Sequence, residues 1–145
     1  MVHENTNLAF SPNVIAGGEL SYNFLKNYDN NDLTISLLEK YVGKQYIDNT
    51  SNESTSLDAY AFTDLRLVYS FKSKRFQNVS LNFLVQNVFD QSFINNAWTY
   101  RYISEGYDAR PDDAYARLEG GATYNLTGFY PQAGRSFLLG LKVRI

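Results

Sequence analysis

The sequence predicts an all-β protein built as an antiparallel meander of about five long strands. Three observations predict it. Apolar and polar residues alternate with period two over several segments, which is typical of strands with two unlike faces. These segments run for about 12 to 17 residues, more than twice the usual length of a globular strand. The connections between them alternate between short and long.

Turn-rich stretches divide the chain into the five predicted strands. Their approximate bounds are residues 13–25, 32–46, 57–71, 78–89 and 129–145.

The first two predicted strands have the less regular alternation. In the first, Leu20, Tyr22 and Phe24 oppose polar neighbours, and a glycine pair lies in its interior. In the second, apolar residues alternate with polar ones until Glu39, which falls on the apolar side. Such a carboxylate predicts either an interface position or a β-bulge.

The last three predicted strands have the clearer alternation. Their apolar positions fall on one side of each strand, and mostly polar residues fall on the other. The positions on the apolar side are Leu65, Leu67, Tyr69 and Phe71; Val79, Leu81, Phe83 and Val85; Phe137, Leu139, Leu141, Val143 and Ile145.

The connections favour a transmembrane barrel over a soluble domain. Residues 26–31 and 72–77 form short links, whereas residues 47–56 and 91–128 form long ones. Outer-membrane barrels have short turns on one side and long loops on the other. A loop as long as residues 91–128 is uncommon in a compact soluble domain.

Composition excludes several classes of function. The formal net charge of −2 argues against nucleic-acid binding, which requires a basic surplus. With no cysteine, disulfides, thiolate metal sites and cysteine nucleophiles are excluded. The single histidine, His3, lies at the start of the sequence, which argues against a Ser-His-Asp triad and a multi-histidine metal site. We therefore predict no enzymatic activity and no cofactor.

The long connection 91–128 is the best candidate for ligand binding. Aromatic rings supply stiff contact area and arginine supplies planar, bidentate donors, a mixture typical of recognition surfaces. Its acidic residues lack the spacing of a calcium loop, so we predict no metal site there. The predicted ligand-binding residues are Trp98, Tyr100, Arg101, Tyr102, Tyr107 and Arg110.

Four stretches resemble the C-terminal barrel strands of TonB-dependent outer-membrane receptors, particularly those of Bacteroidota. Residues 41–50 and 65–71 are similar to two of the family's strands. Val85-Gln86-Asn87-Val88-Phe89-Asp90 resembles the element before the last external loop, and residues 130–141 resemble the closing strand. The order and spacing also fit. One departure is Ile145, where the family usually ends on an aromatic residue.

The resemblance implies a role in nutrient uptake across the outer membrane of a Gram-negative cell. Family members are barrels of 22 strands filled by an N-terminal plug, so residues 1–145 would be the C-terminal barrel portion, without the plug and earlier strands. The parent receptor would import a scarce nutrient of the ferric siderophore, haem or cobalamin type. Its partners would be membrane lipid, the plug, TonB and, as a further candidate, a surface lipoprotein.

Under this interpretation the polar sides of the strands face the barrel lumen. The predicted lumen- and plug-facing residues are Asp64, Arg66 and Gln86. Because Met1 to Asn5 show no secretory signal, we expect the signal to lie upstream.

Three alternatives stay open at the level of sequence. A glycan importer of the SusC-like branch has the same barrel. A soluble β-barrel or sandwich that binds a small apolar ligand has similar composition. A short outer-membrane barrel could also assemble from several copies of a five-strand chain.

Overall fold

The computed structural model describes residues 5–26 and 28–145, so His3 lies outside the described residues. The chain is all-β with antiparallel sheets, which confirms the predicted class. A single three-residue 3-10 turn, Glu53–Thr55, is the only helical element described. The strands are β1 Ile15–Asn23, β2 Asn31–Val42, β3 Gln45–Tyr46, β4 Ser56–Leu57, β5 Tyr60–Phe71, β6 Asn78–Gln86, β7 Ile94–Ile103, β8 Ala116–Gly120, β9 Thr123–Pro131 and β10 Ser136–Arg144.

Contacts divide the described chain into two compact units. One contains residues 15–41, 61–91 and 133–145. The other contains the residues up to Val14 together with 42–60 and 92–132. Within the described residues, no helix has the length and apolar character needed to cross a membrane.

The counterparts of the five predicted strands, which we call the five long strands, form one sheet in the order β1-β2-β5-β6-β10. They have 9 to 12 residues, fewer than the length predicted for most of them. Neighbours in the sheet follow one another along the chain, except that β3 and β4 are inserted between β2 and β5, and β7, β8 and β9 between β6 and β10. The strands begin and end a few residues from the predicted bounds: the second stops at Val42 and the fourth at Gln86.

The fifth predicted strand, residues 129–145, was wrong as a single element. It contains the end of β9 and the whole of β10, which belong to different sheets. The break follows Pro131, which has no N–H to donate to a sheet. At the start of β10 the Asp90 carboxylate accepts from the Arg135 backbone N–H at 2.7 Å. An added Cβ at Gly134 would lie 2.5 Å from Asp90 Oδ1, so the glycine permits this close approach.

Residues 91–128 were predicted as a loop, and this was also wrong. They supply β7, β8 and most of β9, which form a three-stranded sheet in the order β7-β9-β8. The alternation of rings with Ala97, Thr99 and Arg101 was the overlooked strand signal. Gly121, with φ of 57°, makes the tight turn between β8 and β9.

One face of the five-stranded sheet is a continuous apolar surface. The register aligns Leu67 with Phe83 and Phe83 with Leu139, and it places Tyr69, Leu81 and Leu141 in the adjacent row. The opposite face carries mainly polar rows, such as Ser70, Ser80 and Lys142. Apolar side chains interrupt it, among them Val68, Leu84 and Leu138 in these rows and Leu38 and Phe62 at the cleft described below. The predicted alternation in the last three long strands therefore produces two unlike faces.

Glu39 has a polar partner on the apolar face. The Thr63 hydroxyl donates to the Glu39 carboxylate. Thr63 shares the odd-numbered face of β5 with Leu65, so this pair marks one end of the apolar rows. At the other end, the Tyr69 hydroxyl donates to Asn31 Oδ1 at 2.7 Å.

The second unit has a small core with an unusual share of polar groups. Ile47, Leu57 and Ala97 form its apolar cluster. Thr55 and Asn125 are fully buried beside it. These polar side chains are satisfied by a hydrogen-bond network that includes Arg101.

Candidate ligand-binding face

The predicted ligand-binding residues fall on two kinds of structure. Trp98, Tyr100, Arg101 and Tyr102 lie on β7, whereas Tyr107 and Arg110 lie in the connection between β7 and β8. Side chains alternate along a strand, so those on β7 divide between its two faces. The three rings share one face and Arg101 lies on the other.

Three tyrosine rings form a stack on the first face. The Tyr100 and Tyr102 rings lie 6.1 Å apart, centroid to centroid, with their planes inclined by 20°. The Tyr102 ring is 5.5 Å from that of Tyr124, its partner on β9, at 18°. Tyr124 is 6% exposed and Tyr100 is 62% exposed. The stack therefore has an anchored inner ring and an open outer ring.

Trp98 extends this aromatic surface along β7. It pairs with Gly128 of β9, and its ring centroid lies 6.3 Å from that of Tyr115. We call the surface formed by Trp98, Tyr100, Tyr102, Tyr115 and Tyr124 the aromatic face. The sequence-based selection omitted Tyr124, although its alternation with Asn125 and Thr127 was visible.

Arg101 is engaged within the protein. Its Nε donates to Glu119 Oε2 at 2.6 Å, and Nη2 donates to Glu119 Oε1 at 2.6 Å. Nη1 donates to Asp48 Oδ2 at 2.9 Å. A guanidinium held by two carboxylates has little left to offer a ligand. The geometry favours a structural role for Arg101.

The network around Arg101 continues into buried polar side chains. Asn125 Nδ2 donates to Glu119 Oε1 at 2.8 Å, and the Thr127 hydroxyl donates to Asn125 Oδ1 at 3.0 Å. Hydrogen bonds from Arg101 lower the pKa of Glu119 against the effect of burial. Burial alone would raise the pKa of Asp48, but hydrogen bonds from Thr50 and then Arg101 outweigh it and lower this pKa. Both carboxylates are thus stabilised in the charged form.

Tyr107 and Arg110 also bond to neighbours in their own connection. The Tyr107 hydroxyl donates to Asp112. Arg110 Nη2 donates to Asp108 Oδ2 at 2.6 Å, and hydrogen bonds from the side chain and then the backbone of Arg110 lower the pKa of Asp108 to about 2. Arg110 is consequently paired with a carboxylate, like Arg101, although this second pair is exposed to solvent.

The predicted lumen-facing residues share the mainly polar face of the five-stranded sheet. Asp64 Oδ1 accepts from the Asn87 backbone N–H at 2.8 Å, and Arg66 Nη2 donates to Glu19 Oε1 at 2.6 Å. Gln86 Oε1 accepts from the Ser136 hydroxyl at 3.0 Å. Contact with a plug stays a prediction for all three.

A shallow, open cleft lies on the same sheet, with a volume of about 360 Å³. Its lining includes Ile15, Gly17, Leu38, Phe62 and Asp64. Glu39 and Lys40 also line the cleft, whose surface is mostly apolar.

Residues 5–26 and 28–145 contain no group of three histidine or acidic side chains arranged to hold a metal ion. No protein-family model, curated protein or solved structure matches the chain. Inference about function therefore rests on the sequence and on the geometry described above.

Proposed function

We propose that this chain is the C-terminal barrel segment of a TonB-dependent outer-membrane receptor. The parent protein would bind a scarce nutrient outside a Gram-negative cell and import it with energy delivered through TonB. The observation that carries the proposal is the apolar face of the five-stranded sheet. The nature of the cargo, of the ferric siderophore, haem or cobalamin type, is supported by the sequence resemblance alone.

The apolar face is exposed across the sheet. Leu20 on β1 is 75% exposed and Leu139 on β10 is 76% exposed. Soluble monomers rarely expose contiguous apolar surface of this kind, and larger patches mark an interface with protein or membrane. An apolar outer side opposite a mainly polar side is the pattern of strands in a transmembrane barrel.

The extent of the apolar rows suits a bilayer. On β2, Leu33, Ile35 and Leu37 lie between the polar residues Asn31 and Glu39. Eight residues extend about 26 Å along a strand, or about 20 Å of height at a barrel tilt near 40°. This is close to the apolar band of about 25 Å in outer-membrane barrels.

The distribution of buried residues argues against a soluble sandwich. In a sandwich the inner faces of both sheets pack together and are buried. Among the described residues, the buried apolar side chains on the five long strands are Val42, Val79 and Val85. The remaining apolar positions of this sheet are half-buried or exposed.

Site-directed spin labelling tests the membrane-facing assignment. The chain has no cysteine, so a label on one introduced cysteine has a single position. In detergent or lipid, Leu139→Cys should carry a label that is accessible to oxygen and shielded from a water-soluble relaxant. Gly140→Cys, on the opposite face of the same strand, is the matched control and should show the reverse preference.

Two results would contradict the proposal. A label at position 139 that is shielded from both relaxants would place this side in a protein interior. A signal peptide encoded directly before this segment, in place of a plug domain, would contradict the receptor assignment while leaving the membrane-facing assignment intact.

A further inference from the structure

We infer that the aromatic face binds an organic cation that carries a flat apolar body. The inference rests on the proposed function for regarding this ligand as cargo, and it replaces the cargo type suggested by the sequence resemblance with a cation. It starts from Tyr100, the open outer ring of the Tyr100–Tyr102–Tyr124 stack, and from Trp98 on the same strand, both of which are exposed to solvent.

The geometry of the rings favours stacking on a flat group. Tyr100 and Trp98 are two residues apart on the same face of β7, which puts their Cα atoms about 7 Å apart. Trp98 is 41% exposed and Tyr100 is 62% exposed. The faces of aromatic rings carry negative potential and attract a cation within about 6 Å of the ring centre. Anchoring by Tyr124 fixes the stack before any ligand arrives, which lowers the entropic cost of binding.

The arginines near the rings do not favour an anion. Arg101 and Arg117 occupy the face of the sheet opposite to the rings, because they align with Asn125 on β9. Arg110 is held by Asp108. The residues expected to attract anionic cargo are therefore directed away from the rings or already neutralised.

Uncompensated negative charge remains beside the aromatic face. Asp113 Oδ1 accepts from the Tyr115 backbone N–H at 2.8 Å, and Asp112 accepts from the Tyr107 hydroxyl. Both partners are neutral, and the ion pairs among residues 5–26 and 28–145 do not include Asp112 or Asp113. The Asp113 bond to Tyr115 places this carboxylate beside the aromatic face. Burial first, and then the charge of Asp113, raise the pKa of the Tyr102 phenol. Between residues 91 and 128 five carboxylates face three guanidinium groups, a formal charge of −2.

Ring surface and charge thus select the same ligand chemistry. A neutral flat ligand would use only the rings, and an anion would be repelled by Asp112 and Asp113. An organic cation with a flat body can contact the rings and is attracted by the carboxylates, so we assign the ligand to this class.

Fluorescence titration tests the inference, because Trp98 is the single tryptophan of the chain. The full chain in nonionic detergent is titrated with benzyltrimethylammonium, benzyl alcohol and benzoate, which share a ring and differ in charge. We expect the cation to bind about fivefold more tightly than the alcohol, with benzoate weakest. Added salt should weaken cation binding and leave the alcohol unchanged. Equal binding of all three probes, or tightest binding of benzoate, would overturn the inference.

Variants separate the contribution of the rings from that of the charge. Tyr100→Leu should weaken cation binding about fivefold, whereas Tyr100→Phe keeps the ring and should bind like the parent chain. Tyr28 is an exposed tyrosine in the other unit, so Tyr28→Leu is the control and should not change the affinity for the cation.

Asp113→Asn keeps the oxygen that accepts from Tyr115 and removes the charge. It should reduce the preference for the cation over the alcohol even if a Tyr100 variant proves unfolded. An unchanged preference in Asp113→Asn would overturn the assigned role of charge. Because the labels on β10 report the membrane-facing side separately, failure of this inference and failure of the proposed function are distinguishable.

Discussion

The indole of Trp98 lies across Gly128 on the neighbouring strand. A Cβ added at Gly128 would lie 2.6 Å from Cε2 of that ring, so the ring occupies space that any larger residue would need. A glycine covered by a cross-strand aromatic residue is a recurrent stabilising device in sheets.

Gly128→Ala should therefore destabilise the three-stranded sheet by about 1–3 kcal/mol, because the indole must move. Thermal unfolding followed by tryptophan fluorescence measures this, and the emission maximum should shift toward that of an exposed indole. Gly106→Ala is the control, since an added Cβ at Gly106 meets nothing within 4 Å. Equal unfolding midpoints for the two variants would show that the ring moves without cost.

Arg101→Met should destabilise the same unit by about 2–3 kcal/mol, because it leaves Asp48 and Glu119 partly buried with no cation. Their side chains are 19% and 11% exposed. Denaturant unfolding measures the loss. Arg110→Met breaks an exposed pair and should cost at most about 1 kcal/mol. A similar cost for the two variants would contradict the structural role given to Arg101.

The stability of this unit should fall as the solution becomes acidic. Asp48 and Glu119 have a lower pKa in the folded chain than their ordinary values of 3.8 and 4.5. The stabilisation is thus fully present above these ordinary values and is lost as the pH falls through the lower folded pKa values. Unfolding free energy measured between pH 6 and about pH 2 should show the decline. In Arg101→Met the unfolding free energy should depend less on pH. If this dependence is unaltered, other carboxylates cause the decline.

Asp90→Ala should loosen the start of β10. The carboxylate of Asp90 accepts from the Arg135 N–H, and losing such a hydrogen bond typically costs about 1–2 kcal/mol. Hydrogen exchange at the Arg135 amide should accelerate. Asp90→Asn keeps an acceptor oxygen at the same place, so the Arg135 amide should retain most of its protection from exchange. If this amide exchanges as fast in Asp90→Asn as in Asp90→Ala, the protection depends on the negative charge of Asp90 and not on the hydrogen bond alone.

The strands of the five-stranded sheet could be predicted from sequence because apolar and polar residues alternate along them, although β10 was predicted as one element with the end of β9. The alternation with period two is enough to place Leu139 and Lys142 on opposite faces of β10. The three-stranded sheet was overlooked because its strands interrupt a connection expected to be irregular, although Trp98, Tyr100 and Tyr102 alternate as clearly as the residues of β10.

The partners of the predicted site residues could not be derived from sequence. Arg101 meets Asp48, 53 positions earlier, and the sequence contains no local signal for that meeting. Arg110 differs, since its partner Asp108 is two residues away. The type of a residue indicates which groups it can bind, whereas the fold determines whether a neighbouring side chain within the protein already binds it.

The two-residue turn between β8 and β9 has a practical consequence. Gly121 has open space around it, with nothing within 4 Å of an added Cβ. A short epitope tag inserted there should disturb neither strand, and antibody staining of intact cells would then report whether this hairpin tip is displayed at the cell surface.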